Sequence, residues 1–230
     1  MTLAVAIRDL QFAWPAGPGL SIGDLQIAHG SRVFLQGPSG SGKSTLLSLI
    51  AGVLAPQSGQ LTVLGQDMTK LSPAARDRLR AQSLGVIFQL FNLVPYLDVL
   101  SNVTLASRFS KSRGPASEAD KRSTALELLG RLGLEDPALL SRRVDRLSVG
   151  QQQRVAAARA LFGEPALVIA DEPTSALDPK ASTAFLDLLI REAERTGATL
   201  LFVSHDMGLS EPFDQTITMD AFTRQSGEPD

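Results

Sequence analysis

The sequence has no cysteine, which excludes disulfides, a thiolate nucleophile and any Cys-ligated zinc or iron–sulfur centre, and is compatible with a reducing compartment without requiring one. Histidine is almost as scarce: His29 and His205 are the only two, too few for a His-rich metal centre. An excess of basic charge is missing as well. The 22 Lys and Arg against 24 Asp and Glu leave a formal net charge of −2. No global field therefore draws in a phosphate backbone, and no nucleic-acid partner is expected. No apolar run approaches the ~18 residues of a membrane-spanning helix. The opening MTLAVAIRDL turns charged at Arg8 and Asp9 before a signal-peptide core develops. A cytoplasmic chain is expected, with membrane association arriving through a partner.

What is present describes a folded protein. Across 230 residues, 43% are hydrophobic and 20% charged, an ordinary globular balance in a chain long enough for one large domain or a core plus a subdomain. Residues 3–14 and 20–28 read as an antiparallel strand pair around the turn-forming PAGPG. RVFLQ at 32–36 predicts a buried strand, TLLSLIAGVL a helix, and QLTVLG another strand. LSPAARDRLRAQ predicts a helix with Ser72 at the N-cap and Pro73 at the first position. LGVIF (84–88), ALVIA (166–170) and ATLLFVS (198–204) are continuous apolar runs, as in strands covered on both faces. Helical patterns at 117–133 and 150–162, between the first two of these runs, predict a helical insertion on the sheet. Residues 109–118 and the polar tail TRQSGEPD are expected to be weakly ordered.

GPSGSGKST carries the clearest chemistry. Gly37, Pro38, Ser39, Gly40, Ser41, Gly42, Lys43, Ser44 and Thr45 lie between a predicted strand and a predicted helix, the context that a phosphate-binding P-loop requires. Backbone N–H groups and the helix N-terminus would surround the phosphates, Lys43 would reach the β- and γ-phosphates, and Ser44 would offer its hydroxyl to Mg²⁺. LVIADE then ends a strand in two carboxylates at the sheet edge where open α/β sheets bind ligands. Asp171 is expected to hold Mg²⁺ and Glu172 to polarise the attacking water. In LSVGQQQR, Ser148 and Gln151 have capping-box spacing, and Gly150 permits close approach of an anion to the helix start. A well-capped structural helix would show the same letters.

These motifs, with Gln89 after one strand, LVIADEPTSALD, and His205 after another strand, occur in the order of an ATP-binding-cassette (ABC) ATPase subunit, which the chain resembles over residues 2–220. The resemblance implies an α/β fold: a P-loop NTPase (RecA-like) core, an antiparallel β-subdomain and an α-helical subdomain inserted at about 90–162. One such domain would span 1–220, with 221–230 as a tail. It implies ATP and Mg²⁺ as ligands and a homodimer stacked head to tail around two ATP molecules. Residue by residue, Gln89 resembles the Q-loop glutamine that senses Mg²⁺ or the water, and His205 the switch histidine at the γ-phosphate. Ser148, Gly150 and Gln151 resemble the signature that meets the partner's ATP, and Ser175, Ala176, Leu177 and Asp178 resemble the dimer-crossing D-loop. Asp178 before Pro179 is equally a helix cap. Trp14 stands where the family places an adenine-stacking aromatic, with Phe12 as a rival. Val149 replaces the usual glycine of the signature, which matters only if that position needs φ > 0.

FQLFNLVPYLDVLSNV resembles the subgroup serving macrolide exporters and lipoprotein-release systems. Phe91, Leu93, Pro95 and Tyr96 would form an exposed apolar patch there, or pack inside the helical subdomain. The absence of a large C-terminal extension is expected to separate the chain from sugar-importer types. The implied assembly is a subunit on the inner face of the cell membrane, docked on a permease with few spans and associated with a periplasmic adaptor. A mechanotransmission ATPase acting on a periplasmic partner, and a soluble ABC ATPase, are the alternatives.

Overall fold

The computed structural model describes residues 2–15, 19–110, 113–115 and 117–219. Along the chain lie β1 (Leu3–Ala13), β2 (Gly19–Ala28), β3 (Arg32–Gln36), α1 (Lys43–Ile50), β4 (Ser58–Val63), β5 (Gln66–Asp67), α2 (Pro73–Ser83) and β6 (Leu84–Ile87). They are followed by α3 (Val99–Thr104), α4 (Glu118–Arg131), α5 (Pro137–Leu140), α6 (Val149–Leu161), β7 (Leu167–Asp171), α7 (Pro179–Thr196), β8 (Thr199–Val203) and β9 (Gln215–Thr218). An antiparallel sheet has the order β2-β1-β4-β5, and a five-stranded sheet the order β6-β7-β8-β3-β9. Every pairing in the second sheet is parallel.

The continuous apolar strands are explained by what covers them. Side chains alternate across a strand, so Val33, Leu35, Ile169, Leu201 and Val203 face a core shared with α1 and the antiparallel sheet. Phe34, Val168, Ala170, Leu200 and Phe202 face a second core built with α4, α6 and α7. Both faces are therefore dry and the strands have no polar alternation to show. Phe34 is fully buried, and truncating it to alanine would cost ~3–5 kcal/mol. The helical insertion comprises α3 to α6, with α3 and α4 packed on α6 and α6 on β6. That last contact needs Gly85, because a Cβ there would lie 2.3 Å from the Ala160 carbonyl oxygen on α6.

Several expectations shift. The helix expected to run to Leu54 stops at Ile50, and Gly52 turns the chain at φ +69. β5 and β9 are strands that the sequence pattern did not announce. The segment 109–118 is anchored where it is described. Arg113 is 5% exposed and donates to the carbonyls of Leu84 (2.6 Å), Ala160 (2.6 Å) and Phe162 (2.9 Å), tying the start of β6 to the end of α6. Burial without a carboxylate pushes its pKa down to about 10. Residues 111, 112, 116 and 220–230, including the polar tail, lie outside the described residues.

Candidate functional site

β3 delivers Gly37 to the carboxyl edge of the parallel sheet, and the loop from there to Gly42 turns into α1. Gly42 is the helix N-cap at φ 92, a conformation favouring glycine, and it supplies no side-chain cap. The first turn carries no acid. The helix start therefore keeps backbone N–H donors and a partial positive charge for an anion. Lys43 is 8% exposed, and its Nζ donates to the carbonyls of Gly37 (2.7 Å) and Pro38 (2.9 Å), holding the cation inside the loop. Gly40 lies at φ 81 beside exposed Pro38 and Ser39. Ser41 Oγ is buried with no hydrogen-bond partner among the described residues. Thr45 is half-buried in the first turn of α1. Open donors, an internal cation and an unpartnered buried hydroxyl fit a nucleotide phosphate.

The acids arrive from β7. Ser44 Oγ donates to Asp171 Oδ2 at 3.3 Å, which joins the loop to the strand end. Burial raises the Asp171 pKa; the Ser44 hydrogen bond opposes that, the neighbouring Glu172 charge reinforces it, and Lys43 opposes it. One carboxylate beside one hydroxyl suits Mg²⁺, which takes few protein ligands together with substrate phosphates. Glu172 follows in left-handed backbone (φ 44). Its N–H donates to the Val203 carbonyl (3.0 Å), and its Oε2 lies 2.9 Å from Nδ1 of the exposed His205. Val203 is registered opposite Asp171, so β8 delivers His205 beside Glu172. Gln89 leaves the same edge from β6, whose Ile87 pairs with Ala170. It is exposed, and no hydrogen bond holds its side chain among the described residues.

Trp14 is 45% exposed and stands edge-on to Phe12, with ring centroids 5.1 Å apart. Phe12 belongs to the core, so of the two rings Trp14 is the one left with free surface. On α6, both halves of the capping box form: Gln151 N donates to Ser148 Oγ (3.3 Å), and Ser148 N to Gln151 Oε1 (3.0 Å). Val149 is an exposed first-turn helical residue with no positive φ, which settles the conformational question its side chain raised. Gly150 also lacks positive φ, and a Cβ there would meet nothing within 4 Å. No hydrogen bond among the described residues joins this helix start to the P-loop. Asp178 caps α7, accepting from Ala181 N at 3.0 Å.

The expected apolar patch divides. Phe91 and Leu93 are half-buried and pack on the helical core, whereas Pro95 and Tyr96 remain exposed, as do Phe88 and Leu90. Three polar residues near the site were not singled out in the sequence. Gln153, 1% exposed, donates from α6 to the Pro173 carbonyl just after Glu172. Asn102 is fully buried and holds Val94 through both backbone groups. Arg159 donates to the carbonyls of Phe91 and Asn92. For Gln153 a signal existed: it shares a helix face with Ala156, Ala157 and Ala160, where a polar residue must find a buried partner.

Known proteins resemble this chain over most of its length. Residues 20–175 match the family described as ABC transporter. The lipoprotein-releasing system ATP-binding protein LolD 1 of Caulobacter vibrioides is 41% identical over 200 residues, covering 85% of this chain and 82% of that one. LolD of Pseudomonas fluorescens is 37% identical over 217 residues, covering 93% of each. The ATP-binding cassette MJ0796, solved as a dimer in a post-hydrolysis state bound to ADP and Pi, superposes with a TM-score of 0.82 at 33% identity, covering 93% of each chain. No helix among the described residues is long and apolar enough to cross a membrane. The chain belongs to the ABC transporter family, as one of its ATP-binding, ATP-hydrolysing subunits.

Proposed function

We propose that this subunit drives a separate permease of the lipoprotein-release or export type by closing as an ATP-bound homodimer and reopening after hydrolysis. The observation that carries the reading is the pair of contacts at one sheet edge, Ser44 to Asp171 and His205 to Glu172. Lys43 and the N–H groups at the start of α1 bind the phosphates, and Trp14 stacks on adenine. Mg²⁺, when bound, neutralises charge on the β- and γ-phosphates. Ser44 and Asp171 are the residues that would hold it, with Gln89 reaching in from β6. Glu172 accepts the proton of the attacking water, and His205, 2.9 Å away, orients that carboxylate. Ser148, Gly150 and Gln151 meet the nucleotide of the second copy, and Asp178 lies along the same junction. The open space over Gly150 supports this, since neither backbone nor packing within the chain demands glycine there.

The relatives named as parts of a lipoprotein-releasing system support the choice of permease type; the proposed assembly has a permease with few spans, a place on the inner face of the membrane and a periplasmic adaptor. The test is affinity purification of tagged Glu172→Gln from detergent-solubilised membranes with ATP and Mg²⁺, with mass spectrometry of the co-purifying chains. A few-span permease with a large extracytoplasmic domain is the expected result. Ribosomal or DNA-repair proteins in its place would overturn the reading.

A further inference from the structure

Between Gln89 and α3 the backbone takes a costly route. Phe91 (φ 58) and Asn92 (φ 48) stand consecutively in the left-handed region, which asparagine tolerates and a bulky phenylalanine resists. The turn's own hydrogen bonds, Phe91 N to Phe88 O (2.9 Å) and Asn92 N to Leu90 O (2.6 Å), are local. The outside support is Arg159 on α6, which donates through one terminal nitrogen to Phe91 O (2.7 Å) and through the other to Asn92 O (2.6 Å). This grip uses two separate nitrogens of a planar guanidinium, where a lysine would offer both bonds from a single atom. Those two carbonyls are the hydrogen-bond partners of Arg159 among the described residues, and burial without a carboxylate pushes its pKa down. Further on, Asn102 fastens Val94 and also donates to the Leu97 carbonyl. The loop is thus pinned after Gln89 but not at it.

We propose that Arg159 is a positioning residue for Gln89: by holding Phe91 and Asn92 in left-handed backbone, it sets the direction in which Gln89 leaves β6 toward Asp171 and Glu172. This rests on the proposed role of Gln89. The grip joins the loop to the helix that begins at Ser148, so Gln89 is referenced to α6 as well as to its own strand. Phe91 contributes packing on the helical core, but packing alone does not select the left-handed backbone of the exposed Asn92 beside it.

The test uses the full chain with Arg159→Ala, Arg159→Lys, Arg159→Ala combined with Asn92→Gly, and Gln89→Ala. The readouts are kcat and KM for Mg·ATP, the Kd for ADP, and hydrogen exchange resolved to residues 88–96. Arg159→Ala is expected to lower kcat by about tenfold or more, to leave the ADP Kd within about twofold, and to speed exchange in 88–96 by at least about tenfold. Arg159→Lys should fall between wild type and Arg159→Ala. Asparagine already tolerates positive φ, so adding Asn92→Gly should restore only a small part of the lost kcat. An unchanged kcat in Arg159→Ala, while Gln89→Ala is slow, overturns the inference. So does a parallel loss of kcat and ADP affinity with faster exchange along all of α6. If Gln89→Ala itself leaves kcat unchanged, the role of Gln89 falls and the positioning inference falls with it; exchange at 88–96 still decides whether Arg159 holds the loop.

Discussion

Two helices in this protein begin at the proposed phosphate sites, and they begin in opposite ways. α1 starts at Gly42 with no side-chain cap and no acid in its first turn. α6 starts at Ser148 with a complete capping box. The first leaves its donors open and draws Lys43 into the loop beside them. The second satisfies two of its donors, the N–H groups of Ser148 and Gln151, from its own side chains and leaves clear space over Gly150. In the proposed roles, the helix start that holds the ligand within one chain is the one without a side-chain cap. The one proposed to face a second copy carries its own capping box.

The contrast breaks most visibly at Lys43. Lys43→Ala should abolish nucleotide binding in calorimetry, because the open helix start loses its cation; normal affinity would mean that α1 needs no more help than α6. Next in size, Glu172→Gln should slow turnover by ~10²-fold or more with ATP affinity intact, and an ATP-bound dimer should accumulate in size-exclusion chromatography. Gly150→Asp should weaken that dimer by at least about tenfold in the Glu172→Gln background, by filling the clear space with like charge, while ATP binding by the single chain stays within about twofold. Equal losses in both would erase the distinction between the two helix starts. The smallest effect is expected for Val149→Gly. Because Val149 is an ordinary helical residue and valine is itself a weak helix former, the change should cost no more than about 0.5 kcal/mol of stability in denaturant unfolding, and dimerisation should shift by no more than about twofold.

Much of this was readable from local rules. Gly42 with Lys43, the Ser148 and Gln151 box, Ser72 before Pro73, and the bounds of β3 all follow from residues that act on backbone within a few positions of themselves. Unreadable features depend on partners distant in sequence. β9 places only Ile217 in the core and lies at a sheet edge, so its four residues show no strand pattern. Arg113 sits in a polar loop segment yet lies among carbonyls of β6 and α6. Arg159 likewise binds main-chain oxygens, and any residue supplies a carbonyl, so no letter at 91 or 92 records the contact. Phe91 and Leu93 could face either way until α6 was in place.

The self-contact of Lys43 bears on the thermodynamics of nucleotide capture. Its ammonium is already largely buried and held by two carbonyl oxygens of the loop proposed to receive phosphate. Binding at this point is then an exchange of one set of oxygens for another on a preshaped frame, not the ordering of a floppy segment. The heat-capacity change on nucleotide binding to the single chain should accordingly be small, with the large negative value reserved for the step that buries surface between two copies.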